Sequence, residues 1–562
     1  MDEPTCLGVP PYISPYPRYI AGAIWTHDPH ADVIYETIDQ VRADVDAARS
    51  VWMRAHALML IAGMIVPGKY LGGTPISVRE AKEFFSTNAL ADVPKLLVGP
   101  WARFGCGLGG GRLALSSDVL SPPFDYIVRG DAEVVIAGLA QSSWDFSSVN
   151  LNQVRAGPQE IEEYALRGSA IVNQHPGYSE KHLICEIETY RGCPRYITGG
   201  CSFCVEPLYG PPAQREPDGI AREVGALYEH GVRAFRIGRQ ADLFTYGSEE
   251  MGETEFPTPA PHIIELLFSK IRKAAPDLEV LHIDNVNPGT IARHPEESKA
   301  VTRAIMKHHT LGDVAAFGLE SLDPEVKKRN NLKVTAEEAM MAIRILNEVG
   351  GQRPPWELPH LLPGINLLYG LPGESRRTMQ YNMDFLKEVL DQGLIVRRIN
   401  IRQVVRFPGT RIVTDEKGGL KHNEFIRHKE EIRQQIDQVM IKRVAPYGTV
   451  VRSTYVEGRE GNLHLMRQLG TYPLLCHMPM GQDIPPLCNV FVVDHGPRSL
   501  TVLPFPFLAN HASLAQWRVI PGIGAKRAAR MKSAGPWNSM SQVEERLSMS
   551  LPDWFKRCVS FE

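Results

Sequence analysis

Three cysteines, Cys193, Cys201 and Cys204, fall in one short stretch, CEIETYRGCPRYITGGCSFC at 185–204, separated by seven residues and then by two. Thiolates are the usual protein ligands of iron–sulfur clusters, and three of them on a four-iron cluster leave one iron open to a further ligand. A closed zinc site takes a fourth ligand, and the loop between these cysteines supplies none. The stretch therefore reads first as an open 4Fe–4S site. A structural zinc completed by a distant His or Cys, or cysteines unrelated to one another, are the competing readings. Phe203 would shield one face of such a cluster from water, and Gly192, Gly199 and Gly200 let the loop fold tightly round it.

The elements that must position the cysteines come next. They follow an apolar run at 182–188 (HLICEIE), the first of six, with others at 232–237, 279–284, 313–319, 363–369 and 396–405. Helical patterns lie between them, as at 218–231 and 336–351. Alternating strands and helices imply right-handed crossovers and parallel pairing, hence an α/β fold with a partial (β/α)6 barrel over 181–435. Chemistry in such barrels gathers at the C-terminal ends of the strands, where these cysteines lie.

The remaining chain bounds the function. At 562 residues it exceeds a single core and should divide into three or four domains. A net charge of −3 gives no bulk signal for nucleic acid, so any such contact needs a local patch. The N-terminal stretch lacks a basic region followed by an apolar one, and the apolar run at 57–66 is too short to span a bilayer. Nine cysteines with only three grouped argue against a disulfide framework and for a reducing compartment, so the expected location is cytoplasmic, with no membrane. Residues 1–145 read as a doubly wound α/β domain: a helical pattern over 31–62, then short apolar segments separated by glycines. The loop GCGLGGGR at 105–112 opens no helix in a G-x-G-x-x-G register and reads as a surface loop rather than an anion cradle. Residues 146–180 read as a linker, 436–509 as a small antiparallel β-barrel or sheet, and 510–562 as helical apart from a turn at Pro521–Gly524. Arg452, Arg459, His464 and Arg467 would give the β-rich piece a basic face, or a merely solvated one.

From about 182 to 410 the chain resembles the radical S-adenosylmethionine (radical SAM) superfamily. In that family the open iron chelates the amino and carboxylate groups of SAM, and an electron from an external donor cleaves SAM to a 5′-deoxyadenosyl radical. The resemblance implies Cys193, Cys201 and Cys204 as ligands. The Cys-x-aromatic-Cys ending is kept as Cys201–Ser202–Phe203–Cys204, while the seven-residue first spacing departs from the common three. IGRQAD at 237–242 stands where the family's Gly-Gly-Glu segment binds the SAM amino group, with Gly238 kept and Gln240 or Asp242 as acceptors. FGLESLDPEVKKRNN at 317–331 resembles the strand-four segment and would turn Glu320 and Ser321 to the SAM ribose or carboxylate. LLYGLPGES at 367–375 resembles the strand-five segment, with Gly370, Gly373 and Glu374, and RFPGT at 406–410 resembles the end of strand six near the adenine. Taken singly, GLES and GLPGES read as helix-capping chemistry, a glycine for the turn and an acid in the first helical turn.

The N-terminal domain resembles the cobalamin-binding-like domain that precedes such barrels in methyltransferases and methylthiotransferases, with VRGDAEVVI at 128–136 as its final strand and turn. A cobalamin ligand motif, Asp-x-His-x-x-Gly, is not met: the segment from Asp28 through His30 to Val33 lacks the glycine, and His30 reads as a surface histidine. Cobalamin is thus a cofactor that the domain type allows and no ligand motif supports. IPGIGAKRAARM at 520–531 resembles a helix-hairpin-helix. There Gly522 and Gly524 permit a turn whose amides meet phosphate, and Lys526, Arg527 and Arg530 add charge. A protein-packing hairpin is the competing reading. The whole resembles an archaeal-type branch of the superfamily. It implies an enzyme that functionalises a C–H bond of a nucleic acid (tRNA or DNA) by methylation, thiolation or a related step, using a reducing electron donor. The alternatives are a small-molecule or protein substrate, or a non-catalytic metal-containing nucleic-acid-binding protein.

Overall fold

The structure is a computed structural model that describes residues 12–63, 73–412, 421–481 and 484–562. Near the N-terminus, β1 (Tyr12–Ile13) precedes a small parallel sheet of β2 (Leu58–Ile61), β3 (Lys95–Val98) and β4 (Tyr126–Ile127), in that order. Every residue of β3 is buried, because helices cover both faces of this sheet. Leu58 and Leu97 pack with Trp52, Phe84 and Phe85 on one side, whereas Leu96 and Val98 pack with Ile20, Ile24 and Ile136 on the other.

The central domain starts at β5 (Ile184–Glu188). It is followed by a short antiparallel pair, β6 (Tyr190–Arg191) with β7 (Ala213–Gln214), and then by β8 (Ala234–Arg239), β9 (Val280–Ile283), β10 (Asn285–Val286), β11 (Asp313–Glu320), β12 (Leu361–Tyr369) and β13 (Arg398–Gln403). The spatial order is β1–β5–β8–β9 and β10–β11–β12–β13, parallel at every step. The two sheets meet where the Ala316 amide donates to the Asp284 carbonyl, 2.8 Å. Together they form the expected partial barrel. The helices between strands begin where their sequences say they should, with Pro in the first turn at Pro217–Glu229, Pro261–Ala274 and Pro295–Met306. Capping boxes at Thr335 and Ser375 start Ala336–Gly350 and Arg376–Asp391. Period-two alternation sorts the strand residues: Ile365, Leu367, Ile399 and Ile401 join Leu346, Leu386 and Val389 in the apolar core. Asn366 and Asn400 occupy the alternate face, where the Asn400 amide donates to Asn366 Oδ1 at 3.3 Å.

The C-terminal part is a closed barrel of β14 (Val450–Glu460), β15 (Leu463–Gln468), β16 (Leu475–Pro479), β17 (Leu487–His495) and β18 (Leu500–Pro504), in the order β14–β15–β16–β18–β17. All pairs are antiparallel except β16–β18. Its loop after β15 enters the central barrel: Tyr472 donates its hydroxyl to Asp284, lies 4.1 Å under the Arg398 guanidinium, and accepts from Arg397 at its carbonyl, 2.8 Å. Helices Leu514–Arg518, Ala525–Ala534 and Met540–Leu547 share one core with this barrel, in which Trp517 and Phe555 meet Phe491 and Leu503. A last pair, β19 (Phe507–Leu508) with β20 (Val559–Ser560), closes the chain end.

Several expectations change. The helical pattern at 31–62 resolves into helices Ile38–Ala43 and Val45–Trp52 and then the strand β2, because Asp44 caps a new helix and LMLI is a short, half-buried apolar strand. The segment at 128–136 holds no strand: β4 ends just before it at Ile127, and helix Ala132–Gln141 begins within it. Tyr12 and Ile13 belong with the central sheet, since β1 pairs with β5. Residues 146–180 carry helix Glu162–Arg167 and further helical turns, whose Ile161, Tyr164 and Ala165 are buried against Tyr19 and Ala23. The glycine loop is docked: the Gly111 amide donates to the Val404 carbonyl at 2.7 Å, and a Cβ on Gly110 would stand 2.8 Å from Gln403 Cβ. Parts of the runs read at 57–66 and around Gly72 lie outside the described residues. Among the described residues no helix is long and apolar enough to cross a membrane.

Candidate functional site

The cysteine loop leaves the C-terminal end of β5 and is pinched at its neck by the β6–β7 pair. Cys193 begins a 3₁₀ turn, Pro194–Thr198, after which Gly199 and Gly200 take positive φ of 76° and 62°. At Gly200 the need for glycine is also steric, because a Cβ there would stand 2.4 Å from Pro207 Cγ. Two asparagines at the end of the GLES segment clamp the loop. Ser202 donates from its amide to the Asn330 carbonyl (3.0 Å) and from its hydroxyl to Asn330 Oδ1 (2.7 Å), while the Asn331 amide group donates to the Gly200 carbonyl, 2.9 Å. Asn330 also donates to the Pro372 carbonyl at 2.8 Å, which ties the cysteine loop to the GLPGES turn. From the far side the Ile412 amide donates to the Ser202 carbonyl, 3.0 Å.

The fold thus gathers the thiols in one apolar bowl, where Cys201, 7% exposed, packs with Val326, Leu332, Leu371, Val404 and Ile412, and Phe203 and Cys204 line its edge. Burial pushes the Cys193 thiol up to about 12, and pushes Cys204 far above the ordinary range, with the nearby Cys201 and Cys193 adding to the shift. Among the described residues no group of His, Cys, Asp and Glu converges to hold a single metal ion. A cubane cluster takes each thiolate on a different iron, so it needs thiols round a common volume rather than at a common point. The soft donors, the apolar wall and the mutual proximity fit that group. Because thiolate ligands must lose their protons, uptake would release protons. Cys185, by contrast, is buried in the core of β5, with burial pushing its thiol up to about 12. Cys106, which carries no accompanying ligand spacing, is likewise buried and apolar in its surroundings.

Lys333 joins this bowl to the end of β11. Burial works against its charged form, but the Cys201 thiol, the Glu320 carboxyl and the Cys193 thiol outweigh burial and hold Lys333 above its usual range. Glu320 has a positive φ of 65°, an uncommon state for a residue with a side chain, at a register break between β11 and β12. Burial raises its carboxyl to about 7 against the pull of Lys333 and Arg402. A Cβ at Gly318 would stand 2.5 Å from Lys333 Nζ and 2.6 Å from Glu320 Oε1, so this glycine leaves room for the pair.

The other expected contacts divide differently. Gly238 sits on β8 beside the Arg236 and Glu186 side chains. Gln240 is engaged at both ends, accepting from Thr189 at 3.3 Å and donating to the Ile237 carbonyl at 2.9 Å. Asp242 accepts from Thr290 Oγ1 (2.7 Å) and the Phe244 amide (3.1 Å), and burial lifts its carboxyl to about 6. Ser321 is 1% exposed and accepts from the Asp323 amide at 3.2 Å, and Glu374 accepts from the Gly370 amide at 2.7 Å. Ser321 and Glu374 hold turn amides at the strand ends, while the helices that follow are capped by Asp323 and Ser375 rather than by the acids of GLES and GLPGES. Glu320 and Asp242 both feel the Lys333 charge that faces the thiols. Lys333, Arg195, Asn330 and Asn331 escaped the sequence reading. For Lys333 the sequence shows only a lysine between two aliphatics, Leu332 and Val334, which marks no site.

Glu374 gives a pH prediction. Burial raises its folded-state carboxyl from 4.5 to about 7, so the folded state holds a proton that the unfolded chain has already lost. Stability should therefore fall as pH rises from about 4.5 to about 7, by about 3 kcal/mol, and level off above that. Glu374→Gln should lessen the fall over this range by about 3 kcal/mol in urea denaturation followed at several pH values, the raised Glu320 and Asp242 carboxyls keeping their own share. An unchanged slope would refute the assignment.

At the C-terminal ends of β2–β4, the N-terminal domain meets the central barrel in a cavity of about 20 Å³ lined by Gly99, Arg103, Asp131, Glu133, Arg155 and Glu188. Ion pairs fill this edge: Arg103–Asp131 at 3.0 Å, Arg191–Asp131 at 2.7 Å, and Arg155 with both Glu133 and Glu188. Such a volume holds about one water. A cavity of about 1,510 Å³ lies by β2 and residues 28–41. It runs up to Tyr12, Gly63 and Gly73, where the described residues stop. His30 lines it and is exposed.

At the other end of the chain, Gly522 has a positive φ of 84° between helices Leu514–Arg518 and Ala525–Ala534, whereas Gly524, the residue before the second helix, has φ −77°. Lys526 and Arg530 are exposed, and Arg527 donates back to the Gly522 carbonyl at 2.9 Å.

Comparison with known proteins gives a consistent answer. Residues 187–386 match the family model described as Radical SAM superfamily. An uncharacterised protein of Methanocaldococcus jannaschii is 44% identical over 509 residues, covering 89% of this chain and 91% of that one. A tRNA-2-methylthio-N(6)-dimethylallyladenosine synthase of Clostridium botulinum is 19% identical over 355 residues, 62% of this chain and 71% of its own. The radical S-adenosylmethionine methyltransferase TsrM of Kitasatospora setae, solved with tryptophan and a SAM analogue, aligns with a TM-score of 0.44 at 16% identity, covering 71% of this chain and 74% of its own. That superfamily uses a 4Fe–4S cluster and SAM, and with the cysteine bowl at the end of the first barrel strand and the family match spanning it, the chain belongs to the radical SAM superfamily.

Proposed function

We propose that this radical SAM enzyme modifies a nucleic acid, tRNA foremost, with Cys193, Cys201 and Cys204 holding the cluster and the Lys333–Glu320 pair receiving SAM beside it. The observation that carries the site is the placing of Lys333 Nζ and Glu320 Oε1 together over Gly318 at the end of β11, in the field of the Cys193 and Cys201 thiols. Held by Cys193, Cys201 and Cys204, such a cluster would supply the electron for reductive cleavage of SAM and so for hydrogen abstraction from the substrate. The residues of the chain do the rest. Lys333 offsets negative charge at the thiols and meets the SAM carboxylate, and Glu320 accepts from the SAM amino group or ribose. Phe203, Leu371 and Val404 keep water from the bowl. Gln240, Asp242, Ser321 and Glu374 act through the backbone they hold. A reducing compartment, the cytoplasm, suits such thiols.

For the substrate, support comes from the tRNA named for the Clostridium relative and from the C-terminal turn. There Lys526 and Arg530 stand exposed beside amides at the start of Ala525–Ala534 that no side chain caps. Phosphate contacts of this kind are sequence-independent and weaken as salt rises. Lys526→Glu with Arg530→Glu in the full chain should weaken tRNA binding and reduce the slope of log affinity against log salt by about 1–2. An unchanged slope and affinity would remove the turn from the interface. Binding that is absent or salt-independent in the wild type would reject the nucleic-acid reading.

A further inference from the structure

Arg195 lies inside the seven-residue insertion between the first two cysteines, two residues after Cys193. Its side chain is 3% exposed and folds back across the turn. Nη1 donates to Cys201 Sγ at 3.1 Å, and Nη2 donates to the Asn331 carbonyl at 2.9 Å. Nε donates to Glu255 Oε1 at 2.5 Å. Glu255 is itself fixed by the Thr198 hydroxyl at 3.1 Å, and Phe256 lies 5.9 Å beneath the guanidinium. Three directional contacts leave the fork one orientation, with one N–H aimed at sulfur. A guanidinium cannot give up its proton in a protein, so the donor is permanent.

We infer that Arg195 is a positioning residue that raises the reduction potential of the cluster, and that the insertion exists to carry it. The inference rests on the cluster reading above. Cluster potentials respond to hydrogen bonds at the sulfurs, to net charge and to burial. An N–H donated to a ligand sulfur, and a positive charge beside it, favour the reduced state because that state is the more negative. Glu255 works in the opposite direction: its carboxylate moderates the cation while holding it in place. The arrangement therefore sets two signs. Loss of the cation lowers the potential, and neutralisation of its carboxylate raises it. An arginine that merely stapled the loop would move neither, provided that the cluster still binds.

The test is an EPR-monitored redox titration of the full-length protein, anaerobically reconstituted with iron and sulfide, with dithionite as reductant. Iron and sulfide are counted first, for the wild type, Arg195→Met, Arg195→Lys and Glu255→Gln. A wild type that takes up no cluster refutes the cluster reading itself and is told apart by that count. With clusters present, Arg195→Met should lower the reduced-to-oxidised ratio at fixed potential at least tenfold, about 59 mV for one electron. Arg195→Lys should restore part of the loss, and Glu255→Gln should shift the ratio the other way. Wild-type potentials in both Arg195→Met and Glu255→Gln, or shifts of the same sign, would overturn the inference. Should Arg195→Met fold too poorly to hold a cluster, Glu255→Gln decides alone: a higher potential supports it, and an unchanged or lower one overturns it.

Discussion

Cys201→Ala is expected to abolish cluster binding and with it all SAM cleavage. Of the three cysteines Cys201 is the most buried, walled by Val326, Leu332, Leu371, Val404 and Ile412, and it alone takes the Arg195 N–H. Its loss leaves two thiols at the rim and takes from Arg195 Nη1 its sulfur acceptor, while Glu255 still pairs the guanidinium. After anaerobic reconstitution the wild type should hold about four irons and four sulfides per chain, and the variant close to none. Cys106→Ala should keep the full count, because Cys106 is buried in the N-terminal core, away from the bowl. A Cys201→Ala protein with the full complement of iron would show that the ligands have been misassigned.

Glu223→Gln should cost about 3–5 kcal/mol of stability. Glu223 has no exposure at all and stands between two guanidiniums that are 0% and 1% exposed: Arg18 on one oxygen and Arg215 at 2.5 Å on the other. Exchange for an amide leaves the buried cations with less counter-charge than they need. The damage should also reach the site, since Arg18 donates to the Glu186 carbonyl and Arg215 to the Glu188 carbonyl, the last residue of β5. These two bonds brace the strand from which the cysteine loop departs. Glu163→Gln supplies the contrast: its pair with Arg167 is about half exposed on both sides, and its loss should cost at most about 0.5 kcal/mol. Guanidinium denaturation reads both, as a shift of midpoint at constant slope. A loss below about 1 kcal/mol for Glu223→Gln would mean that the charge is not what holds the triad.

The barrel was legible because its strands announce themselves locally. Each is a short apolar run followed by a proline-started or boxed helix, and β5, β8, β11 and β12 fall within about two residues of where the pattern places them. The two-residue β1 carries no such signal, and LMLI cannot be told from a helix segment by periodicity alone. In the site, the cysteines and Glu320 were legible from residue type and spacing. Gln240, Asp242, Ser321 and Glu374 offer the right acceptors, but the sequence does not reveal that nearby donors already engage them. Arg195 and Lys333 were illegible for the opposite reason. A charged residue in a loop reads as solvated until the fold places it against a thiol, and for Lys333 that thiol lies more than a hundred residues earlier.

The central claim is that the bowl holds a cluster able to reduce SAM. The most direct measurement incubates the reconstituted full-length protein anaerobically with SAM and dithionite and quantifies 5′-deoxyadenosine. The account predicts its formation in the wild type and its absence in Cys201→Ala. No 5′-deoxyadenosine from a wild-type protein whose cluster is demonstrably present would contradict it.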